Sequence, residues 1–407
     1  MNPRTLRILF VLPQVPYPPD RGGKIVQYNF VRGMLERGHR VWIAALEHHR
    51  EEPAQAEALR KMGAEVITFP AAPRWSLSRL VRAFGSSRPY KAHRFYHPAM
   101  ADWIQQCVDE QEIDVIHCQN FYTASYVRGN EPCGRILYKE NFEALLLERF
   151  VTDSGHSAVL RAAARLQVRR TLAYEVSVCK RFDRVLLISQ PDLERFAEHR
   201  PESPLEVLSP GVDLRYYVPS TRAPKAGRVV FTGSMDYFPN VDAVGFVCSK
   251  VWPRVRETMP EAELFLVGQH PEAAVRKWDG RAGVHVTGRV EDIRPYLADT
   301  AVYVVPLRVG GGVRLKILEA MAMGKAIVST PLGAEGLAVS DGENILLAET
   351  PQAMAEAVLR LLRSEEERRR LEAAARAFAE RHGDWNRIIE RLENIYQEIA
   401  PPKAKTP

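Results

Sequence analysis

Cysteine is scarce in this chain of 407 residues: five are scattered from Cys107 to Cys248, with no Cys-x-x-Cys pair. An odd, dispersed set argues against a disulfide framework and against a structural zinc site, and it suits a reducing compartment. Long apolar runs are missing too. The first, Ile8-Leu9-Phe10-Val11-Leu12, is stopped by Pro13. It is too short to span a bilayer and has no small-residue cleavage site behind it, so it reads as a buried strand rather than an anchor or a secretory signal. There is no short-period repeat. Nor is there an acidic excess, since Lys and Arg number 56 against 50 Asp and Glu, a net charge of +6. That balance suits anionic ligands or an anionic membrane surface, and no groove-reading pattern points to nucleic acid.

What is present is ordinary for a globular protein, with 46% apolar and 26% charged residues. The length is enough for two or three domains at roughly 150 residues each. Short β-branched runs alternate with helical patterns. Strands are expected at Ile8–Leu12, Val41–Leu46, Glu65–Phe69, Val115–Cys118, Ile136–Tyr138 and Val185–Ile188 in the first half. Val229–Thr232, Leu264–Val267, Val284–Thr287, Val302–Val305 and Ala326–Ser329 follow in the second. Between the first two strands, Ile25, Tyr28, Val31 and Leu35 recur at helical spacing across Lys24–Arg37. Continuous apolar strands separated by helices indicate parallel sheets covered on both faces. The expectation is an α/β protein of two doubly wound, Rossmann-like domains, 1–205 and 206–383, with a linker over Ser203–Gly227 that carries four prolines. A terminal helical segment, 384–407, follows the break at Gly383, and Pro401–Pro407 reads as a frayed tail.

Two glycine loops carry the chemical signal. In Gly310-Gly311-Gly312-Val313-Arg314-Leu315-Lys316-Ile317-Leu318-Glu319, a strand ending at Pro306 feeds a loop that opens a helix. Glycines let backbone N–H groups approach a ligand, and the helix start presents its positive end. Arg314 offers a planar fork and Lys316 a point charge, a pair suited to a diphosphate. Glu319 lies three residues past Lys316, where its carboxylate could accept from ribose hydroxyls. The plainer alternative is a glycine turn followed by a Lys316–Glu319 helix pair. Earlier, Pro18-Pro19-Asp20-Arg21-Gly22-Gly23-Lys24 follows the first strand, where an open α/β sheet binds ligands. Gly22 and Gly23 could cradle a phosphate, or simply turn the chain into its helix. Ile25 stands where a P-loop needs Ser or Thr. Gly233-Ser234-Met235 and Gly288-Arg289-Val290 end two further strands and fit a nucleotide, the latter by presenting main-chain groups to a base, although each alone reads more simply as strand-end punctuation.

Together these stretches resemble glycosyltransferase family 4, the retaining group with the GT-B fold, over nearly the whole chain. Further carriers are Ser209-Pro210-Gly211-Val212-Asp213, Leu318-Glu319-Ala320-Met321-Ala322-Met323-Gly324, Asp341-Gly342-Glu343-Asn344 and the helix beginning near Trp385. More narrowly, Gly233–Asn240 with Gly311–Lys316 is similar to sugar transferases found with exopolysaccharide gene clusters. The resemblance implies two domains facing across a cleft, with the terminal helix crossing back to the first. It implies transfer of a sugar from a nucleoside diphosphate, with anomeric retention, to a saccharide or lipid-linked acceptor. It also implies no cofactor and no metal; the chain has no Asp-x-Asp motif. Gly22, Gly23, Gly233, Arg289, Val290, Gly311, Gly312, Val313, Arg314, Lys316 and Glu319 would then bind the donor, with Arg314 and Lys316 facing the departing diphosphate.

The chain departs from the family pattern in three places. Of the usual pair of glutamates seven residues apart, only Glu319 is present, and Gly311 takes the other slot. The Arg and Lys expected around Gly233–Asn240 are missing. In Asp114-Val115-Ile116-His117-Cys118-Gln119, Gln119 occupies the slot of the family's histidine. His117 shares its strand face with Gln119. His117, Gln119 and Glu143 are therefore the catalytic candidates, with Glu140 as a further polar group on the acceptor side; His117 could equally be a buried structural residue, and either glutamate a helix-start charge. Arg161, Arg165, Arg169 and Arg170, with Arg74, Arg79, Arg82, Arg88, Lys91 and Arg94, make the first half basic. That suggests a cytoplasmic protein resting peripherally on the inner face of an anionic membrane, or merely a solvated helix face. A nucleotide-sugar epimerase and a non-catalytic nucleotide-sugar-binding partner are the alternative functions.

Overall fold

The computed structural model describes residues 4–48, 52–73, 86–153 and 158–402. It divides the chain into one unit of residues 1–209 with 386–407 and another of residues 210–385. In the first unit, β1 (Arg7–Leu12), β2 (Arg40–Glu47), β3 (Glu65–Pro70), β4 (Val115–Gln119), β5 (Gly134–Lys139), β6 (Arg184–Leu187) and β7 (Leu205–Val207) form one sheet. Its order is β3-β2-β1-β4-β5-β6-β7, and every pairing is parallel. The second unit contains β8 (Arg228–Thr232), β9 (Glu263–Val267), β10 (Val284–Gly288), β11 (Val302–Val305), β12 (Ile327–Ser329) and β13 (Leu346–Leu347). These run β10-β9-β8-β11-β12-β13, again all parallel. Helices connect the strands because a parallel pair cannot be joined by a tight turn.

Both sheets have the doubly wound order, which reverses direction between β1 and β4 and between β8 and β11. At those two places the following helices diverge to opposite faces, leaving a crevice beyond the carboxyl ends of the strands. The central strands are covered on both sides: Ile8 to Leu12 and Val302 to Val305 are all buried.

The helix Trp385–Ile399 packs with the first unit through Ile388, Ile389, Leu392, Ile395 and Tyr396. Its one buried acid, Glu393, takes a hydrogen bond from Arg37 at 2.8 Å and contacts His39 at 2.9 Å, so the carboxylate enters the core already partnered. Glycines let the helix come close. A Cβ at Gly33, in the helix Gly22–Glu36, would lie 2.6–2.8 Å from three carbons of Ile389, and one at Gly134 would lie 2.7 Å from Ile399.

Gly33→Ala tests this contact. Alanine favours a helix over glycine by roughly 1 kcal/mol, but here the added methyl has no room. Overpacking should prevail at about 1–3 kcal/mol and lower the urea midpoint of the first unit. A midpoint that rises would show that Ile389 yields freely.

Candidate functional site

In the second unit the crevice lies between the end of β8, at Gly233, and the loop after β11. The loop needs its glycines: Gly310 has φ 120° and Gly312 has φ 73°, conformations that a Cβ disfavours. It delivers Arg314 as the N-cap residue of the helix Leu315–Ala322, with its guanidinium turned back to donate to the carbonyls of Gly311 and Gly312. Two residues on, Lys316 reaches across to β8. Its Nζ donates to Thr232 O at 2.6 Å and to Asn240 Oδ1 at 2.9 Å, and it stands 4.4 Å from the centre of the Phe231 ring. Gly233 is what makes room, since a Cβ there would fall 2.8 Å from Lys316 Nζ and 2.7 Å from Asn240 Nδ2.

Desolvation is the largest influence on this lysine. Together with the charge of Arg314 it pushes Lys316 down to about 7, against the opposing pull of Glu319. Desolvation likewise raises Glu319, whose carboxylate is hydrogen-bonded by Tyr217 and drawn back down by Tyr217 and Lys316. The three charged residues thus form one partly buried cluster, carrying more positive than negative charge. Val313 sits in the loop between the glycines and Arg314. Arg289 is exposed and Val290 packs on the core, after Gly288 at the end of the edge strand β10.

In the first unit the crevice lies between Gly22-Gly23, which open the helix Gly22–Glu36, and the ends of β4 and β5. His117 is fully buried among Phe10, Phe30, Tyr138 and Tyr396, with ring centroids 5.0–6.1 Å away. Its Nδ1 lies 2.6 Å from Tyr396 Oη and its Nε2 3.1 Å from Gln119 Oε1. Burial pushes its pKa down to about 3 although Gln119 pulls the other way, so the ring is neutral. With no exposure and both nitrogens engaged, His117 is placed in the core, which counts against its candidacy as a catalytic group.

Gln119 is also fully buried, and its Nε2 donates to Glu140 Oε1 at 2.6 Å. Glu143 starts the helix Glu143–Asp153, and its carboxylate accepts from Lys91 at 2.7 Å; it serves there as a paired helix-start charge. The carboxylate at the strand end is Glu140, whose Oε2 would lie 2.8 Å from a Cβ on Gly23. An anion at that place repels phosphate, so the expected phosphate cradle at Gly22-Gly23 does not fit the charge found there.

Sequence reasoning did not single out Asn240, Tyr217 or Tyr396. Asn240 lies 76 residues from Lys316, and Tyr396 lies 279 from His117. Asn240 closes the Gly233–Asn240 stretch but has no role assigned to it there, and nothing in the local patterns of Tyr217 or Tyr396 marks them; the strand order brings all three in. Among the described residues no group of three or more His, Cys, Asp or Glu side chains could hold a metal ion, and no helix is long and apolar enough to cross a membrane. Arg74, Arg79 and Arg82, and the side chain of Arg161, lie outside the described residues.

A model described as Glycosyltransferase Family 4 matches residues 21–216, and one described as Glycosyl transferases group 1 matches residues 226–364. A phosphatidyl-myo-inositol mannosyltransferase of Mycobacterium tuberculosis is 28% identical over 209 residues, covering 48% of this chain and 54% of the relative. The matched stretch therefore spans about half of that relative's length. The Mycobacterium leprae protein of the same name is 25% identical over 367 residues, covering 86% of this chain and 92% of its own. Among solved structures, Anabaena Alr3699/HepE in complex with UDP superposes with a TM-score of 0.70 at 15% identity, covering 97% of this chain and 100% of the neighbour. That likeness establishes the shared GT-B fold.

His117 makes the first unit's stability depend on pH. The native ring stays neutral down to about pH 3, while in the unfolded chain it protonates near its ordinary value of 6.5. Below pH 6.5 the unfolded state binds the extra proton, so acidification should cost about 1.4 kcal/mol per pH unit, or roughly 2 kcal/mol by pH 5. Urea titrations at pH 7 and pH 5 should show this loss in the wild type and a smaller one in His117→Asn. Equal losses would place the acid sensitivity elsewhere.

Proposed function

Because this chain belongs to glycosyltransferase family 4, we propose that it transfers a sugar from a nucleoside-diphosphate donor to a saccharide or lipid-linked saccharide acceptor, with retention at the anomeric carbon. The observation that carries this reading is the Arg314–Lys316–Glu319 cluster at the switch point of the second sheet. Two cations beside a glycine loop suit a diphosphate, and the acid one turn along suits the ribose hydroxyls. The UDP complex of the Anabaena neighbour supports a nucleoside diphosphate as donor. The mycobacterial relatives, named for mannosyl transfer to phosphatidyl-myo-inositol, support a lipid-linked acceptor.

In transfer, negative charge grows on the departing diphosphate as its bond to the sugar breaks. Lys316 is already positioned, so its stabilisation requires little rearrangement at that moment. The carbonyl of Thr232 and the amide oxygen of Asn240 hold it without neutralising it. These protein cations do the work that a metal ion does in other transferases, so transfer proceeds without added metal. Glu319 can exchange its bond to the Tyr217 hydroxyl for one to ribose. The setting is cell-surface glycan synthesis at the cytoplasmic face of a membrane. Exposed Arg165 and Arg169 flank Leu166, which is 55% exposed, giving the helix Ala158–Cys179 a basic and apolar face for that surface.

Lys316 supplies the test. With its pKa near 7 it loses its charge as pH rises, and a bound diphosphate should hold the proton on. Affinity for UDP or GDP should then fall by roughly five- to tenfold between pH 7.5 and 8.5, above the titration of the terminal phosphate and below that of the base N–H. Lys316→Ala should bind more weakly and show a flat profile in calorimetry. A sloping profile in that variant would remove Lys316 from the donor site.

Glu319→Gln should weaken UDP or GDP by about tenfold while leaving inorganic pyrophosphate nearly unaffected. Equal losses would mean that Glu319 only positions the cations.

A further inference from the structure

The first unit's crevice contains a chain of hydrogen bonds that runs from the core to its mouth. Gln119 Nε2 donates to Glu140 Oε1, which leaves Gln119 Oε1 as the acceptor facing His117. His117 must therefore carry its proton on Nε2 and accept at Nδ1 from the Tyr396 hydroxyl, 2.6 Å away. Each link orients the next, and all donors point toward Glu140. Gln27 Nε2 donates to the same Oε1 at 3.0 Å, so the carboxylate is held from two sides. Its backbone is fixed as well, because Glu140 N donates to Asn120 Oδ1 at 3.1 Å.

Two acceptors around this carboxylate remain unpaired. Glu140 Oε2 lies over Gly23 and has no hydrogen-bond partner among the described residues. Gln27 is 1% exposed, and its Oε1 is buried without a partner although its Nε2 is bound to Glu140. A buried acceptor left unpaired is costly, so it marks a place for a donor. An ionised phosphate has no proton to offer and would be repelled. A hydroxyl-rich neutral molecule can donate to Glu140 Oε2, and a hydroxyl or water reaching Gln27 Oε1 would satisfy it as well.

We propose that Glu140, held by Gln27 and Gln119, binds hydroxyl groups of the sugar or polyol acceptor. This inference rests on the transferase reading only in calling that ligand the acceptor. Glu140 fixes the hydroxyl-bearing ring by charge-assisted hydrogen bonds, and the Tyr396–His117–Gln119 chain sets the carboxylate's orientation from within the core. Gly23 lets the carboxylate lie close to the helix start, since a Cβ there would fall 2.8 Å from Glu140 Oε2 and shift it.

The test uses the full chain with glucose, mannose and myo-inositol as probes, measured by saturation-transfer NMR, and with UDP and GDP in parallel calorimetry. At least one of the three probes should bind the wild type, and Glu140→Gln should weaken it by roughly tenfold. UDP or GDP affinity should stay within about twofold, with the thermal midpoint unchanged. Absence of binding by all three probes, or equal binding by the variant, would overturn the inference. So would a fall in the midpoint of more than about 5 °C, which would assign Glu140 to the fold. Probe binding that depends on Glu140, in a protein that binds neither UDP nor GDP, would sink the transferase reading and leave the hydroxyl site standing.

Discussion

A parallel sheet obliges every strand to end at the same edge, because each must be followed by a crossover before the next begins. The chain builds two such sheets, and everything chemical about it lies where those edges meet a reversal of strand order. Gly23, Gln119 and Glu140 follow or end β1, β4 and β5; Gly233 and the glycine loop follow β8 and β11. None of these residues need be near another in sequence. The crossover rule gathers them, and the reversal opens the space that they line.

The two crevices have opposite character, and charge shows it best. In the second unit a lysine and an arginine are drawn partly out of water, at a cost visible in the lowered pKa of Lys316. Their mutual repulsion adds to that cost. Such a pair is poorly matched by its surroundings, and an anion would relieve it. In the first unit the polar groups at the mouth are acceptors, and their nearest charge is negative. The first arrangement matches a diphosphate in charge, and the second opposes it through Glu140. The departures from the family pattern read coherently in this light. The Arg and Lys of the family pattern are absent around Gly233–Asn240, and Lys316 reaches the end of β8 from the opposite side of the crevice, with Asn240 as its holder.

The fold was largely legible because alternation of apolar runs and helical spacing is a local signal. The strand runs expected at Ile8–Leu12, Val229–Thr232 and Val302–Val305 coincide with buried strands. The glycine loop with Arg314, Lys316 and Glu319 was legible for the same reason, since all three lie within one turn or two of each other. Pairings that depend on tertiary contact were not. His117 looked like a candidate because a histidine at a strand end has the right chemistry; only the packing of Tyr396 and Phe30 shows that the ring faces inward. On sequence alone Glu143 ranks as a catalytic candidate and Glu140 only as a further polar group. What separates them is Lys91, which neutralises Glu143, and the glycine that leaves Glu140 open to the crevice.

The same strand end holds a second buried charge whose purpose is mechanical. Lys139, the last residue of β5, is 1% exposed, stands 3.5 Å from the centre of the Phe196 ring and donates at 2.9 Å to Glu175, which is wholly buried. An interior ion pair is a poor source of stability, since removing both ions from water costs several kcal/mol apiece. Glu175 recovers part of that cost by also accepting from the backbone N–H groups of Glu143 and Ala144, which open the helix Glu143–Asp153. It is thus a helix cap contributed from another helix, and Lys139 is its counter-ion. A hydrophobic pair of equal volume would satisfy the packing and leave those two N–H groups without partners. Because side chains alternate along a strand, sending Lys139 into the core turns the next residue toward the opposite side. That residue is Glu140, so the buried pair helps to decide which carboxylate reaches the crevice.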